Sequence, residues 1–357
     1  MLKSKLRSLR KFYLVTLGLL PYGVLFFPKV SYAHENYVLT KEQINGGVKD
    51  FSINVFSTLS NPGNLKIALL VGLGSFVVIV LYFFFQHSRS GIWLDGQLNK
   101  LEGAGHVVLR LALAASFIFS AHTLSYLGPE ISVFSLPGGT IIRLLLYILG
   151  FALILGIFTE LVSIISLGIL LLATYVYKDY MLTYFNYFGE FIALIIFGSR
   201  IFSLDRLFFG VSKLQQKYKK YEIAIIRTTY GISILYPAIS IKLLHPIIIV
   251  DIVNQYNLTQ FHWLFPRDPV LISLGSGLAQ VAVGIAIIAG FQTRLNSLVT
   301  FSLMILSVIF FKEAVWPHYI LLALALYLVI NNGGEFSLDA KIRNYILNKR
   351  TSLQSNN

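Results

Sequence analysis

The sequence predicts an all-α integral membrane protein: two tandem four-helix transmembrane bundles in parallel orientation, preceded by one transmembrane helix. Three observations predict it. Of the 357 residues, 56% are hydrophobic and only 13% charged, about half the charge of an ordinary soluble domain, and the mean hydropathy is +0.71. The apolar residues fall into runs of roughly the 20 residues that a helix needs to cross the hydrocarbon core. The polar residues between the runs recur in the same order in two stretches of chain. Nothing alternates with period 2 over ten-residue stretches, which argues against a β-barrel. There is no cysteine, so disulfides, thiolate metal sites and CxxC redox chemistry within this chain are excluded.

Residues 1–33 read as a signal peptide. Lys3, Lys5, Arg7, Arg10 and Lys11 form its basic region, Phe12 to Phe27 its apolar region, and Ser31-Tyr32-Ala33 supplies small residues for cleavage. Cleavage leaves His34 as the new N-terminus; the alternative is an uncleaved anchor of the same orientation. Residues 34–65 form a short exported segment, and 66–105 a transmembrane helix and inner loop. Apolar runs follow at 67–85, 106–126, 140–158, 161–177, 185–199, 223–244, 270–291, 295–311 and 317–330, which gives nine spans. The tail is 346–357. With the segment after the signal outside, thirteen Lys and Arg lie inside between spans or in the tail and six lie outside. That bias places the C-terminus in the cytoplasm and the protein in the inner (plasma) membrane. It also accounts for the net charge of +13 without a nucleic-acid partner; the partner it implies is the lipid bilayer.

Two units, 106–221 and 222–345, share their punctuation. Arg110 matches Arg227, and Leu127-Gly128-Pro129 matches Leu244-His245-Pro246. Gly156, Thr159 and Leu161 match Gly290, Thr293 and Leu295, and Phe202-Ser203-Leu204-Asp205 matches Phe336-Ser337-Leu338-Asp339. The interval from the glycine to the aspartate is 49 residues in both. The expectation is a parallel repeat. In the second unit, Arg227, Gly231, Lys242, Gly290, Thr293, Arg294, Ser337, Leu338 and Asp339 resemble the pattern of the DoxX/DoxD family of four-helix membrane proteins. The first unit departs from it, with Ala114, Ser125 and Glu160 at the positions of Gly231, Lys242 and Arg294. The resemblance covers about 105–345. It implies an integral membrane subunit of a quinone- or thiol-linked redox complex, with an oxidoreductase subunit as protein partner. The alternative is a non-catalytic membrane scaffold or carrier for a hydrophobic molecule or partner protein.

Ionisable groups within spans are costly and ask for a partner or a role. His122, Arg143 and Glu190 are expected to share one depth toward the outer side. There His122 would accept a proton or meet a quinone oxygen, while Glu190 and Arg143 set its charge. The competing reading is a hydrogen-bonded cluster that locks the bundle. Lys242, Gln280 and His318, with His245, form a second outer-side set. Snorkelling by Lys242, and an interfacial His318 beside Trp316-Pro317, are the structural readings. Quinone is the candidate cofactor. No close paired-histidine spacing points to haem, and no metal site is expected. Walker, HExxH and GxSxG motifs are absent, as is a GxGxxG before a βαβ unit. Arg110, Arg227 and Arg294 are expected to serve topology and headgroup contact. Asp205 and Asp339 are expected to cap the segments that follow them. Segments 205–221 and 338–350 read as interfacial helices, and the loop 245–268 as an outer-interface segment or lid.

Overall fold

A computed structural model describes residues 39, 42–43, 46–47, 50, 55–198, 202–208, 210, 213–261, 265–311 and 316–355. The signal peptide expected over 1–33 lies outside the described residues. The architecture is the all-α membrane class expected from composition, and five helical stretches are long and apolar enough to cross a bilayer. After a turn at Val55–Leu59, helix α1 (Pro62–Gln86) runs 25 residues, about 37 Å at 1.5 Å per residue. It starts cleanly because the Asn61 side chain accepts from the N–H of Gly63 and Pro62 needs no intrahelical partner. Its apolar residues face outward all round (Leu69, Phe76, Leu81 and Phe84 are each more than 60% exposed), as lipid contact requires. The short amphipathic α2 (Arg89–Asn99) follows.

The first unit comprises α3 (Glu102–His122), α4 (Gly139–Leu155), α5 (Thr159–Tyr177) and α6 (Phe185–Phe197). Short helices α7 (Leu204–Phe208) and α8 (Lys213–Tyr218) lead to the second unit. That unit comprises α9 (Glu222–Pro237), α11 (Pro269–Ala289), α12 (Thr293–Phe311) and α13 (Trp316–Asn331). Helix α10 (Pro246–Gln255) lies between α9 and α11, and α14 (Leu338–Ser355) ends the described chain. Between α3 and α4 is a small antiparallel ribbon, β1 (Ser125–Tyr126) and β2 (Gly128–Ser132). It has no signature in the hydropathy pattern, because two- and five-residue strands are too short for a period-2 alternation.

The units close on each other more than on themselves. Helices pack in the circuit α3, α4, α5, α6, α9, α11, α12, α13 and back to α3. The fourth helix of each unit therefore lies against the first helix of the other. One hydrophobic core spans both units, from Leu113 and Phe117 through Tyr187 and Phe191 to Tyr230, Ile287 and Leu324. The closest approach is where Gly189 of α6 meets Thr229 of α9, with no room for a Cβ on the glycine.

The same contacts recur in each unit at the end remote from the ribbon, here called the basic end. Gly156 and Gly290 end α4 and α11 in the left-handed region, at φ +62° and +68°, which glycine adopts without a steric penalty. Against them lie Ser203 and Ser337, and the guanidinium groups of Arg110 and Arg227. Arg110 donates to the Phe202 carbonyl at 2.6 Å, and Arg227 to the Phe336 carbonyl at 3.0 Å. Asp205 accepts from the backbone N–H of Phe158 and Thr159, and Asp339 from those of Gln292 and Thr293, all between 2.7 and 2.9 Å.

Two sequence expectations change here. Arg110, Arg227 and Arg294 are 1%, 3% and 8% exposed. They bond to chain carbonyls instead of headgroups, because the broken backbone after each helix leaves acceptors that guanidinium forks can reach. Asp205 and Asp339 cap helices 46 residues earlier in the chain, α5 and α12, as well as beginning their own.

Helices α1 and α2 join the second unit through polar ties. Asn64 donates to Asp268 at 2.6 Å, and Gln292 to the Ile79 carbonyl at 2.7 Å. Asp95 on α2 pairs with Arg294, which also donates to the carbonyls of Val329 and Ile330. Helix α10 forms a satellite core: Ile248, Ile249, Ile252 and Val253 pack with Leu258, Ile272 and Leu39 of the N-terminal segment.

Candidate functional site

Polar groups gather inside the bundle at the basic end. On α3, His106 and Arg110 are four residues apart and so share a face. On α6, Asn186 and Glu190 have the same spacing. Glu222 opens α9. His106, Arg110, Glu190 and Glu222 border one space. His106 Nδ1 lies 3.2 Å from Glu222 Oε1. This is a hydrogen bond when the imidazole is neutral and an ion pair when it is protonated. The His106 ring meets Tyr327 of α13 edge-on at 5.3 Å. Asn186 donates to Glu190 Oε1 at 3.0 Å. Glu190 is 1% exposed, and its other carboxylate oxygen has no hydrogen-bond partner among the described residues. A cavity of about 10 Å³ is lined by His106, Leu109, Arg110, Glu190, Glu222 and Ile226, among others. That is about the space one water needs.

The residues expected to share one depth separate into two places. Arg143 donates from Nε to the Ala121 carbonyl at 2.9 Å, a cation on the exposed carbonyls that end α3. The exposed His122 is the last residue of that same helix. Glu190 does not join them and faces the cavity at the basic end instead. The fourth helix is only 13 residues long and follows a 3₁₀ segment, Lys178–Tyr184. Its sixth residue is therefore already deep in the bundle.

In the second set, Lys242 lies on a π-helical turn, Ala238–Leu243, beneath Pro237. Such turns re-aim side chains without ending a helix. Lys242 packs against Gly277 of α11, and Gln280 is one turn further along that helix with its carbonyl oxygen buried and unpartnered among the described residues. His318 is buried at the start of α13, two residues from Trp316, which stacks on Phe119 of α3 at 6.5 Å. Lys242 and Gln280 thus belong to the α9–α11 contact, and His318 to the helix that packs on α3.

A third polar group closes the ribbon end. The Glu130 carboxylate accepts from the hydroxyls of Tyr180, at 2.9 Å, and Tyr184. Burial first, then the Glu130 carboxylate, hold the Tyr184 hydroxyl well above its usual range, so it stays protonated at neutral pH. Gly128 lies so close that a Cβ there would strike both Tyr184 and Glu130.

His106, Glu222 and Asn186 were not singled out from sequence. The i, i+4 pairs His106/Arg110 and Asn186/Glu190 within apolar runs were the available signal. A cavity with room for a single water does not admit a quinone ring, so no step is drawn through quinone at this site. What its own residues can do is hold a water and hold or move a proton.

The DoxX family model matches residues 222–313, which covers α9 to α12 of the second unit. No curated protein and no solved structure matches the chain.

Proposed function

We propose that this chain is a DoxX-like integral membrane subunit of a quinone- or thiol-linked redox complex, and that its partner carries the electrons. The observation that supports this is the DoxX match over 222–313, in a segment whose first helix shares a core with the first unit and contributes Glu222 to the interior polar site. The chain has no cysteine, so any dithiol belongs to the partner. The two units are tandem copies of one ancestral bundle. The paired arginine–carbonyl contacts, the paired aspartate caps and the paired left-handed glycines support that reading. The basic end faces the cytoplasm of a plasma membrane, in line with the positive-inside bias. The residues His122, Arg143, Lys242, Gln280 and His318 serve the outer face, where a partner's donor or a quinone headgroup docks.

The test is purification of the tagged chain from its native membranes in mild detergent. An oxidoreductase recognisable by flavin, haem or dithiol absorbance and activity is expected to co-purify, and deletion of the chain to lower quinone-linked turnover. Release of the chain with a hydrophobic cargo and no oxidoreductase supports the scaffold or carrier reading instead. Topology is tested with Ser132→Cys and Lys341→Cys, since the cysteine-free background gives clean labelling. Impermeant maleimide is expected to reach the first from outside and the second only after lysis.

A further inference from the structure

Beyond the redox reading, the first unit carries ionisable and hydroxyl groups in a column that runs from the ribbon end to the basic end. We propose that this column is a proton path through the membrane domain, with Glu190 as its central carrier.

At the ribbon end, Glu130 collects the hydroxyls of Tyr180 and Tyr184. The next ring inward, Tyr187, is 6.2 Å from Tyr184 between centroids, and its hydroxyl shares a 2.7 Å hydrogen bond with Ser116. Tyr187 and Glu190 are three residues apart on α6 and so lie on one face. Glu190 borders the one-water cavity with an unpartnered oxygen, and the His106–Glu222 pair lines the same cavity. The surface pair Glu102–Lys219, at 2.8 Å, completes the column at the basic end. Arg110, held on the Phe202 carbonyl, is the fixed cation among the cavity-lining residues. It balances the carboxylates without blocking the space.

The register of the proposed repeat gives the residues that hold the equivalent places in the second unit. Gly156 and Gly290 are 134 residues apart, and the same step carries Tyr187 to Leu321 and Glu190 to Leu324. Leu324 is fully buried in the common core. The second unit thus fills the equivalent place with leucine, while the first spends a carboxyl that costs about 2.5–3.5 kcal/mol to insert in a membrane. Asn186 satisfies one Glu190 oxygen, and the other has no hydrogen-bond partner among the described residues.

The protons balance at each step. A proton leaving the imidazolium of His106 crosses on the cavity water and neutralises the Glu190 carboxylate. Glu190 gives it to the Tyr187 oxygen as that hydroxyl releases its own proton outward, Tyr184 likewise passes one to the Glu130 carboxylate, and Glu130 gives it up at the ribbon end. Rotation of the hydroxyls restores the chain for the next proton, and nothing is oxidised or reduced. Rotation of the hydroxyls, or one water, bridges the Tyr187–Tyr184 step.

The experiment uses the full chain alone in liposomes that contain a pH-sensitive dye, with a potassium gradient and valinomycin to set the potential. With no partner present, its outcome is separate from that of the redox reading. Wild type is expected to carry protons above the protein-free leak. Glu190→Gln, which keeps the shape and the Asn186 contact, is expected to cut the flux by about tenfold or more, and Glu190→Asp to restore part of it. Tyr187→Phe keeps the ring and serves as the second probe should the Gln variant fail to reconstitute. It too is expected to slow the flux. Wild-type flux no greater than the empty-vesicle leak overturns the proposal, as do folded Glu190→Gln and Tyr187→Phe proteins that conduct like wild type.

Discussion

Asp339 holds the start of a helix that precedes it by 46 residues: its carboxylate accepts the backbone N–H of Thr293 at 2.9 Å and of Gln292 at 2.7 Å. One side chain thereby fixes where α12 begins and where α14 leaves the bundle. Asp205 repeats the arrangement on Thr159 at 2.8 Å. Asp339→Ala and Asp205→Ala are each expected to lower stability by about 1–2 kcal/mol, the scale of a lost N-cap. The check is a thermal melt in detergent, where the two single variants should shift similarly and the double variant additively.

Gly189→Ala places a methyl group into Thr229 at the α6–α9 crossing. Overpacking of this kind costs about 1–3 kcal/mol. The melting temperature is expected to fall, and Thr229→Gly in the same chain is expected to recover most of the loss. Failure of the second substitution to rescue would show that α6 and α9 do not meet as described.

Arg294 and Asp95 should be unequal partners. Arg294 is 8% exposed and also serves the carbonyls of Val329 and Ile330, whereas the Asp95 side chain is 32% exposed. Arg294→Ala is expected to cost about 3–5 kcal/mol, the range for breaking a buried charged network. Asp95→Asn is expected to cost far less and mainly to loosen α2. Hydrogen exchange across 89–99 separates the two: both variants raise exchange there, and only Arg294→Ala raises it in α12 and α13.

Helix α10 should respond to pH. Burial, then the nearby Asp50 carboxylate, raises the Asp251 pKa above its ordinary 3.8. A carboxyl whose pKa is raised on folding binds its proton more tightly in the folded state. The contribution is therefore complete below pH 3.8 and is lost as pH rises through the folded-state value. Exchange protection of 246–255 is expected to weaken on going from mild acid to neutral pH. Asp251→Asn should flatten that dependence.

The membrane helices were legible because hydropathy runs and the Gly156, Gly290, Asp205 and Asp339 punctuation are local features of the chain. The second-unit resemblance was legible in Arg227, Gly231, Lys242, Gly290, Thr293, Arg294, Ser337, Leu338 and Asp339, and the family match at 222–313 covers the first six. Partnerships across the bundle were not. Sequence placed Arg110, Arg227 and Arg294 at helix ends, but burial of their guanidinium groups depends on backbone breaks that only the folded chain brings beneath them. Glu190 was visible as a costly residue. That it faces His106 and Glu222, rather than His122 and Arg143, follows from the short α6 and from α9 lying against it. Neither is written in the spacing around residue 190.

The circuit of helices also bears on chains of other lengths. Since α6 rests on α9 and α13 rests on α3, either half taken alone would present two bare flanks to the lipid. A polypeptide with a single such unit would complete this architecture by pairing with a second copy of itself. On the proposed duplication, joining two copies in one chain frees each flank to diverge, so that a carboxylate occupies a register on one side where the other keeps leucine.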